Sequence, residues 1–186
     1  MIKIPLRILL VEDNEADILI TKRAIKKIVE NPEIEVAEDL ETCRYQMVHF
    51  IPDVVISDYN LPGCNGLDIL ELVRKKDPHV PFIFLTGTIH DEELAADTIL
   101  AGAWGFVLKK HMSELEVKLN PLLKKVIFHM GSREEVRERL RKNKIAINQI
   151  YDYLDNVESE TLEQQQDLKK IRKTFERFRS DNKDHI

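Results

Sequence analysis

The sequence predicts an α/β protein: a doubly wound, five-stranded parallel sheet followed by a long α-helical coiled-coil extension. Up to residue 130, short β-branched apolar runs alternate with stretches whose apolar residues recur at helical spacing, as strands and their crossover helices do. Beyond residue 130 this alternation stops and a seven-residue apolar repeat begins, which is typical of a coiled coil. We therefore divide the chain into residues 1–130, the sheet domain, and residues 131–186, the extension.

Five short runs rich in β-branched residues are predicted to be the strands. They are Arg7 to Val11, Ile34 to Val36, Val54 to Ser57, Phe82 to Thr86, and Gly105 to Leu108. Because strands that alternate with helices are joined by crossovers, the sheet is predicted to be parallel and covered on both faces. With right-handed crossovers, we expect an open, doubly wound sheet.

Amphipathic stretches between the strands are predicted to be five helices. Four of these stretches show helical spacing in the following sets: Ile18, Ile25 and Ile28; Leu67, Leu70 and Val73; Leu94, Ile99 and Leu100; Leu115, Leu119, Leu122 and Val126. In a sheet of this kind, ligand sites form beyond the carboxyl ends of the strands. The sequence therefore directs attention to the residues that follow each strand.

The extension begins at Gly131, a favourable residue after a helix end, and at a capping box that starts with Ser132. No Gly or Pro follows until Ser180. The heptad seam comprises Leu140, Ile147, Leu154, Thr161, Leu168 and Phe175, with Val136, Asn143, Ile150, Val157, Gln164, Ile171 and Phe178. A lone helix would leave this seam in water, so a homodimer through residues 133–180 is the simplest expectation, parallel or antiparallel. A hairpin broken at 155–160, a stretch rich in capping residues, is the alternative.

Composition limits the function classes. The chain has 186 residues and a formal net charge of −5, which argues against nucleic acid as the main partner. It has no apolar stretch long enough to span a membrane, and its N-terminus is interpreted as a first strand rather than a signal peptide. Cys43 and Cys64 match neither a disulfide framework nor a zinc motif. We expect a cytoplasmic protein with two reduced thiols.

Polar side chains follow four of the predicted strands. The first strand leads into Glu12 and Asp13, the third into Asp58, the fourth ends in Thr86 and the fifth leads into Lys109. Carboxylates gathered in one crevice repel one another unless a cation intervenes. A hard divalent ion with oxygen ligands, Mg2+, meets that need and tolerates a phosphate group beside it.

Asp58 is predicted to be a carboxylate nucleophile that accepts a phosphoryl group as an acyl phosphate. The negative charge on the transferred group would be neutralised by the metal ion, by the Lys109 ammonium and by the Thr86 hydroxyl with nearby backbone N–H groups. The Pro- and Gly-containing turn after Asp58 would stay short and stiff, so that the next helix leaves the site open. Each residue alone also has an ordinary explanation as a cap, turn or surface residue; their joint occurrence favours the site.

Four stretches of residues 6–130 resemble the receiver domain of two-component response regulators, the CheY-like family. They are RILLVEDNEAD, DVVISDYNLPGCNGLDIL, PFIFLTGT and AGAWGFVLKK. The resemblance implies a flavodoxin-like sheet with the strand order 2-1-3-4-5. It also implies that a histidine kinase or phosphotransfer protein phosphorylates Asp58. It also implies that Glu12, Asp13, Asp58 and the Asn60 main-chain carbonyl arrange the Mg2+ ion.

The resemblance further implies a switch, in which Thr86 and Lys109 hold the phosphoryl group and Phe106 turns inward as Thr86 is drawn toward it. Two residues depart from the family pattern. Lys110 stands where the family usually has a proline, often after a cis peptide bond, and a cis bond before Lys110 would cost about 3 kcal/mol. Trp104 stands where an acidic residue is common; partial burial or an anchor on an output face would explain it.

We expect no DNA-binding output from the extension, because its charges are mixed and the basic stretch RERLRKNK is brief and lies inside the heptads. We expect a response regulator that signals through a changed receiver surface and a dimerising or partner-docking coiled coil. It would not be an enzyme beyond self-phosphorylation and slow self-dephosphorylation. The alternative is a pseudo-receiver scaffold that acts by its coiled coil alone. An aspartyl-phosphate hydrolase is disfavoured because Tyr59 and Asn60 follow Asp58 instead of a second carboxylate.

Overall fold

The computed structural model describes residues 1–87, 99, 101–130, 141–143, 145–150, 166, 169–171 and 173. The chain divides into two units, Met1–Glu134 and Glu135–Ile186. Most of the predicted helix at 94–100, the predicted capping box at 132–135 and most heptad positions lie outside the described residues.

The first unit is built on a parallel five-stranded sheet, as predicted, with one small addition. Its strands are β1 (Arg7–Val11), β2 (Glu33–Ala37), β3 (Val54–Ser57), β4 (Asn60–Leu61), β5 (Cys64–Asn65), β6 (Phe82–Thr86) and β7 (Gly105–Leu108). The main sheet has the order β2-β1-β3-β6-β7, and all its neighbouring strands are parallel. Strands β4 and β5 form a separate antiparallel pair, which the sequence did not predict because two residues carry no periodicity.

Four α-helices of the first unit have described bounds, and a 3-10 helix spans Lys109–Glu114. The α-helices are α1 (Glu15–Ile28), α2 (Leu40–His49), α3 (Gly66–Lys76) and α4 (Leu115–Met130). The first three begin at short polar side chains, Asn14, Asp39 and Asn65, each of which accepts hydrogen bonds from backbone N–H groups of the first turn. These caps satisfy donors that the helix itself leaves free, so the helix starts are encoded locally.

Two apolar clusters cover the two faces of the sheet. Ile8 and Leu10 of β1 pack with apolar residues of α1 and α4, whereas Leu9 and Val11 pack with residues of α2 and α3. Alternate side chains of a strand point to opposite faces, so each face of β1 has its own pair of helices. Burying each such aliphatic side chain contributes about 1.5–3 kcal/mol, and this two-sided burial fixes the sheet.

The carboxyl ends of the strands form one edge. Val11 at the end of β1 is in register with Ser57 at the end of β3, and Thr86 at the end of β6 is in register with Leu108 at the end of β7. The residues that come next in the chain therefore share this edge of the sheet.

In the second unit the described residues are helical, including Asn143, Ile147, Ile150 and Ile171 of the predicted seam. Ile150 and Ile171 are 41% and 43% exposed. The coiled coil and the homodimer stay predictions. Within the part of the chain that the structure describes, no helix is both long enough and apolar enough to cross a membrane.

Candidate functional site

Glu12 and Asp58 lie side by side after β1 and β3, held by the backbone. The Glu12 N–H donates to the Ala37 carbonyl at 2.9 Å, and the Asp58 N–H donates to the Val11 carbonyl at 2.8 Å. Glu12 is fully buried and Asp58 is 6% exposed. One carboxylate oxygen of Asp58, Oδ1, also accepts a hydrogen bond from the Tyr59 N–H at 2.6 Å. The backbone of two adjacent strands thus sets the position and the orientation of the Asp58 carboxylate.

Asp13 completes an acidic cluster with these two residues. Carboxylate oxygens of Glu12, Asp13 and Asp58 all lie within 4.8 Å of one another. Asp13 is exposed, whereas the other two are buried. Oxygen donors with a strong excess of negative charge, open on one side to water, suit a hard cation such as Mg2+, which keeps several of its waters. The residues present therefore fit a magnesium ion.

Lys109, the first residue after β7, reaches into this cluster. Its Nζ atom lies 2.9 Å from Asp58 Oδ2 and 2.8 Å from Glu12 Oε2. A third contact, at 2.6 Å, joins it to Asp17 Oδ2 in the first turn of α1. The ammonium group donates hydrogen bonds to Asp17 and Asp58, whereas its contact with Glu12 is an ion pair without hydrogen-bond geometry.

Asp17 was missed by the sequence analysis. An acidic residue in the first turn of a helix has an ordinary role, because it complements the positive end of the helix dipole. Glu15 occupies the same turn and carries the same charge. Nothing in the local pattern distinguishes the acidic residue that contacts Lys109 from its neighbour.

Burial and pairing shift two pKa values at the site. Burial raises the pKa of Glu12, and the contact with Lys109 only partly opposes this shift. Burial acts to lower the pKa of Lys109, but the nearby carboxylates of Asp17, Glu12 and Asp58 outweigh it, so the pKa lies above its usual value. Lys109 is therefore a permanent cation at neutral pH, as a group that binds a phosphoryl oxygen must be.

Thr86 ends β6 at the same edge of the sheet. Its side chain is 3% exposed, and its hydroxyl oxygen, Oγ1, has no hydrogen-bond partner among the described residues. A buried hydroxyl without a partner costs free energy, so this hydroxyl is available to donate to a group bound at the edge. That availability agrees with the predicted role of Thr86, although the structure gives no contact between Thr86 and Asp58.

The loop after Asp58 runs very close to it. The Gly66 N–H donates to the Tyr59 carbonyl at 2.6 Å. A Cβ atom on Gly66 would lie 2.9 Å from the Asp58 carbonyl oxygen and 2.6 Å from the Phe84 ring, distances that real contacts do not reach. Gly63, in contrast, supplies a positive φ of 73° in the turn, which glycine adopts at little cost. The two glycines thus serve the loop for different physical reasons.

Asn60 and Phe106 lie around this core of the site. Asn60 is exposed, and its backbone pairs with Asn65 across β4 and β5. Phe106 is half-buried in β7, in register with Phe84, and packs against the cluster that also contacts Tyr59. The inward turn of Phe106 and the metal contact of the Asn60 carbonyl stay predictions.

The structure describes the backbone before Lys110 and the side chain of Trp104, the two residues that depart from the family pattern. The described residues contain no cis peptide bond, so the bond between Lys109 and Lys110 is trans. Trp104 is half-buried; its ring meets the His129 ring edge-on at 4.6 Å, and Lys125 Nζ lies 5.2 Å from its centroid. These contacts agree with the partial burial that the sequence suggests.

An acidic cluster and a lysine at the carboxyl edge of a flavodoxin-like parallel sheet form the arrangement of a receiver domain. The family model for the response regulator receiver domain matches residues 8–120. The chain belongs to this family, the receiver domains of two-component systems.

Curated relatives extend the comparison. The chain is 33% identical over 123 residues to the transcriptional regulatory protein TrcR of Mycobacterium tuberculosis, a match that covers 65% of this chain and 46% of TrcR. It is 27% identical over 123 residues to the transcriptional regulatory protein PhoP of Escherichia coli, which covers 64% of this chain and 53% of PhoP. The chain thus spans about half the length of these relatives.

Solved structures match the same part of the chain. The response regulator domain of Thermotoga maritima CheB superposes with a TM-score of 0.55 at 25% identity, covering 66% of this chain and 94% of that one. A response regulator receiver domain protein from Clostridium thermocellum gives a TM-score of 0.56 at 26% identity, covering 67% of this chain and 99% of that one. Whole receiver domains therefore correspond to about two thirds of this chain.

Proposed function

We propose that this protein is a response regulator that accepts a phosphoryl group on Asp58, with Mg2+, from a histidine kinase or a phosphotransfer protein. The observation that carries the proposal is the pairing of Lys109 Nζ with Asp58 Oδ2 at 2.9 Å, beside carboxylates that together fit a metal ion. A buried carboxylate with a cation on it and a metal site beside it has the parts that phosphoryl transfer needs.

In the proposed step, a carboxylate oxygen of Asp58 forms a bond to phosphorus while the bond from phosphorus to the donor's leaving group breaks. The Tyr59 N–H donates to Asp58 Oδ1 and so fixes the orientation of the attacking carboxylate. Lys109 donates to one phosphoryl oxygen, and the unpaired Thr86 hydroxyl donates to another. Glu12, Asp13 and Asp58 would hold a magnesium ion, which would supply positive charge beside the phosphoryl oxygens.

The output we propose is a coiled coil rather than a DNA-binding domain. TrcR and PhoP are transcriptional regulators, but residues 131–186 of this chain carry mixed charges and a heptad seam. The helical conformation of residues 145–150 and the exposure of Ile150 and Ile171 support a helix that pairs with a second one. We therefore propose a homodimer through residues 133–180. The protein would be cytoplasmic, and it would catalyse only its own phosphorylation and slow dephosphorylation.

Acetyl phosphate with Mg2+, followed by intact mass spectrometry, tests the acceptor function without the unknown kinase. The wild-type chain should gain the mass of one phosphoryl group, and Asp58→Asn should gain none. Without Mg2+ the wild-type chain should stay unmodified. A wild-type chain that takes up no phosphoryl group under any of these conditions would favour a scaffold that acts by its extension alone.

Sedimentation of the full chain tests the output. We expect a dimer at tens of micromolar, or a monomer that dimerises on addition of beryllofluoride, a phosphoryl mimic. A chain that stays monomeric with and without the mimic would contradict the dimer and leave partner docking as the role of the extension.

A further inference from the structure

Lys109 binds one carboxylate that the acceptor chemistry does not use. Of the three carboxylates on its ammonium, Glu12 and Asp58 belong to the acidic cluster that fits a metal ion. Asp17 does not belong to that cluster, yet it makes the shortest contact, 2.6 Å, against 2.8 Å for Glu12 and 2.9 Å for Asp58. The shortest contact of the Lys109 ammonium is thus with a carboxylate outside the group that would hold the metal ion.

Asp17 is carried by a rigid element. It lies in the first turn of α1, which begins at the capping residue Asn14. The helix is anchored to the sheet by the buried side chains of Thr21, Ile25 and Ile28. Lys109, in contrast, holds its charge at the end of a flexible four-carbon stem. A fixed carboxylate that binds the ammonium restricts where that charge can be.

The contact joins two parts of the fold that share the site but are distant in sequence. Asp17 and Lys109 are 92 residues apart, and the pair is largely shielded from water, with side chains 26% and 14% exposed. An ion pair shielded in this way is weakened less by solvent than a surface pair. The link between α1 and the end of β7 is therefore able to hold Lys109 in place.

We propose that Asp17 is a positioning residue, which holds the Lys109 ammonium at Asp58 while the phosphoryl group is transferred. This inference rests on the proposed function. During transfer, one oxygen of Asp58 becomes bonded to phosphorus, and Glu12 would share its negative charge with a bound metal ion, so both would hold Lys109 less strongly. Asp17 is the carboxylate that keeps the ammonium directed toward the incoming phosphoryl oxygens. Misplacement of such a group by about 1 Å can lower a rate 100-fold.

Glu15 provides a matched control. It lies in the same first turn of α1 and complements the same helix dipole, but it is exposed and its side chain is no part of the Lys109 contact set. Asp17→Asn and Glu15→Gln each remove one negative charge from that turn. Any difference between the two variants therefore reports the contact with Lys109 rather than the net charge of the helix end.

The test measures the rate of phosphorylation by acetyl phosphate at saturating Mg2+, with full-length protein. We expect the maximal rate to fall about tenfold in Asp17→Asn and to stay within about twofold of wild type in Glu15→Gln. The Mg2+ concentration for half-maximal rate should not change, because Asp17 is outside the acidic cluster. Asp17→Glu, which restores the carboxylate one methylene further out, should recover part of the rate.

A double-mutant cycle shows whether Asp17 acts through Lys109. In a Lys109→Ala background, Asp17→Asn should cause no further loss of rate. Equal rates in Asp17→Asn and Glu15→Gln, or a further loss in the Lys109→Ala background, would overturn the inference and leave the acceptor function intact. A wild-type chain that takes up no phosphoryl group would instead overturn the proposed function, and the inference with it.

Discussion

The two ends of the sheet both bury charged residues, but they balance the charge differently. At the amino end, Arg7 donates from its guanidinium to Glu33 at 2.6 Å and to the Phe50 carbonyl. The backbone N–H of Arg7 donates to the buried Asp53 carboxylate at 2.9 Å. At the carboxyl end, one cation, Lys109, faces several carboxylates: Glu12, Asp17 and Asp58 in contact with it, and Asp13 beside them.

This difference separates a structural network from a binding site. At the amino end the Arg7 guanidinium also stacks over the Phe50 ring, 4.3 Å from its centroid, and the carboxylates have donors from the protein itself. At the carboxyl end the negative charge exceeds what Lys109 can neutralise, and Asp13 faces water. An excess of charge at an open position is what a metal ion and a phosphoryl group can use. Buried charge alone therefore does not mark a site; uncompensated charge does.

The largest expected effect on stability comes from a substitution that introduces a steric clash at the carboxyl end of the sheet. Gly66→Ala would place a Cβ atom 2.6 Å from the Phe84 ring and 2.9 Å from the Asp58 carbonyl. We expect the free energy of unfolding to fall by about 3 kcal/mol, together with much slower phosphorylation, because the loop that carries Asp58 must move. Urea unfolding and the acetyl phosphate assay measure the two effects.

Gly87→Ala is the control for this change. It is also near the site, but among the residues that the structure describes its Cβ atom would meet only the Lys109 side chain, at an ordinary 3.7 Å. If the two alanine variants unfold at the same urea concentration, the close approach of Gly66 to Asp58 is not the constraint that the geometry implies.

Asp53→Ala should have the next largest effect and should act on stability alone. It removes the acceptor for the partly buried backbone N–H of Arg7, and a donor left unpaired in this way costs about 2 kcal/mol. Phosphorylation should continue, since the acceptor site lies at the other end of the sheet. Asp53→Asn keeps an acceptor oxygen and should lose less stability. Loss of phosphorylation in a folded Asp53→Ala protein would break the separation of the two ends.

Glu12→Gln should have the smallest effect, and its sign should be opposite. Burial raises the pKa of Glu12 above its usual value, so the ionised form is disfavoured in the folded state. Its contribution to stability is present below the ordinary pKa of 4.5 and is lost as the pH rises through the folded-state value. Without Mg2+ at pH 7, Glu12→Gln should therefore raise the free energy of unfolding by about 1 kcal/mol, while it weakens Mg2+ binding.

Thermal unfolding at two pH values, in the presence of a chelator, checks this prediction. The difference between wild type and Glu12→Gln should shrink as the pH falls toward the ordinary pKa of 4.5, because Glu12 in the folded wild-type protein takes up its proton above that value. If Glu12→Gln is instead less stable than wild type at pH 7, the negative charge at the carboxyl end is already compensated by the protein, as it is at the amino end.

The parts of the site that could be predicted from the sequence are those set by the ends of strands. Glu12, Asp58 and Lys109 each follow an apolar run, and parallel strands bring their carboxyl ends to one edge whatever the loops do. Because neighbouring strands are in register, residues that are distant in sequence meet at this edge, and the local pattern of each strand is enough to predict this. The same reasoning predicted the parallel sheet itself.

The parts that could not be predicted depend on contacts between elements. Asp17 lies on a helix, where its charge already has a local explanation, so only the fold reveals that it meets Lys109. The close approach of Gly66 to Phe84 and Asp58 involves three separate segments. The β4 and β5 pair is too short to show a period. The coiled coil has a strong period, but most of its seam lies outside the described residues.

We expect the carboxyl end of the sheet to accept a phosphoryl group on Asp58 and nowhere else. After treatment with acetyl phosphate and Mg2+, borohydride reduction converts an acyl-phosphorylated aspartate to homoserine, and tandem mass spectrometry locates it. We predict homoserine at position 58 alone, and only when Mg2+ was present. Homoserine at Asp13 or Asp17, or none anywhere in a chain that is folded, would contradict the claim.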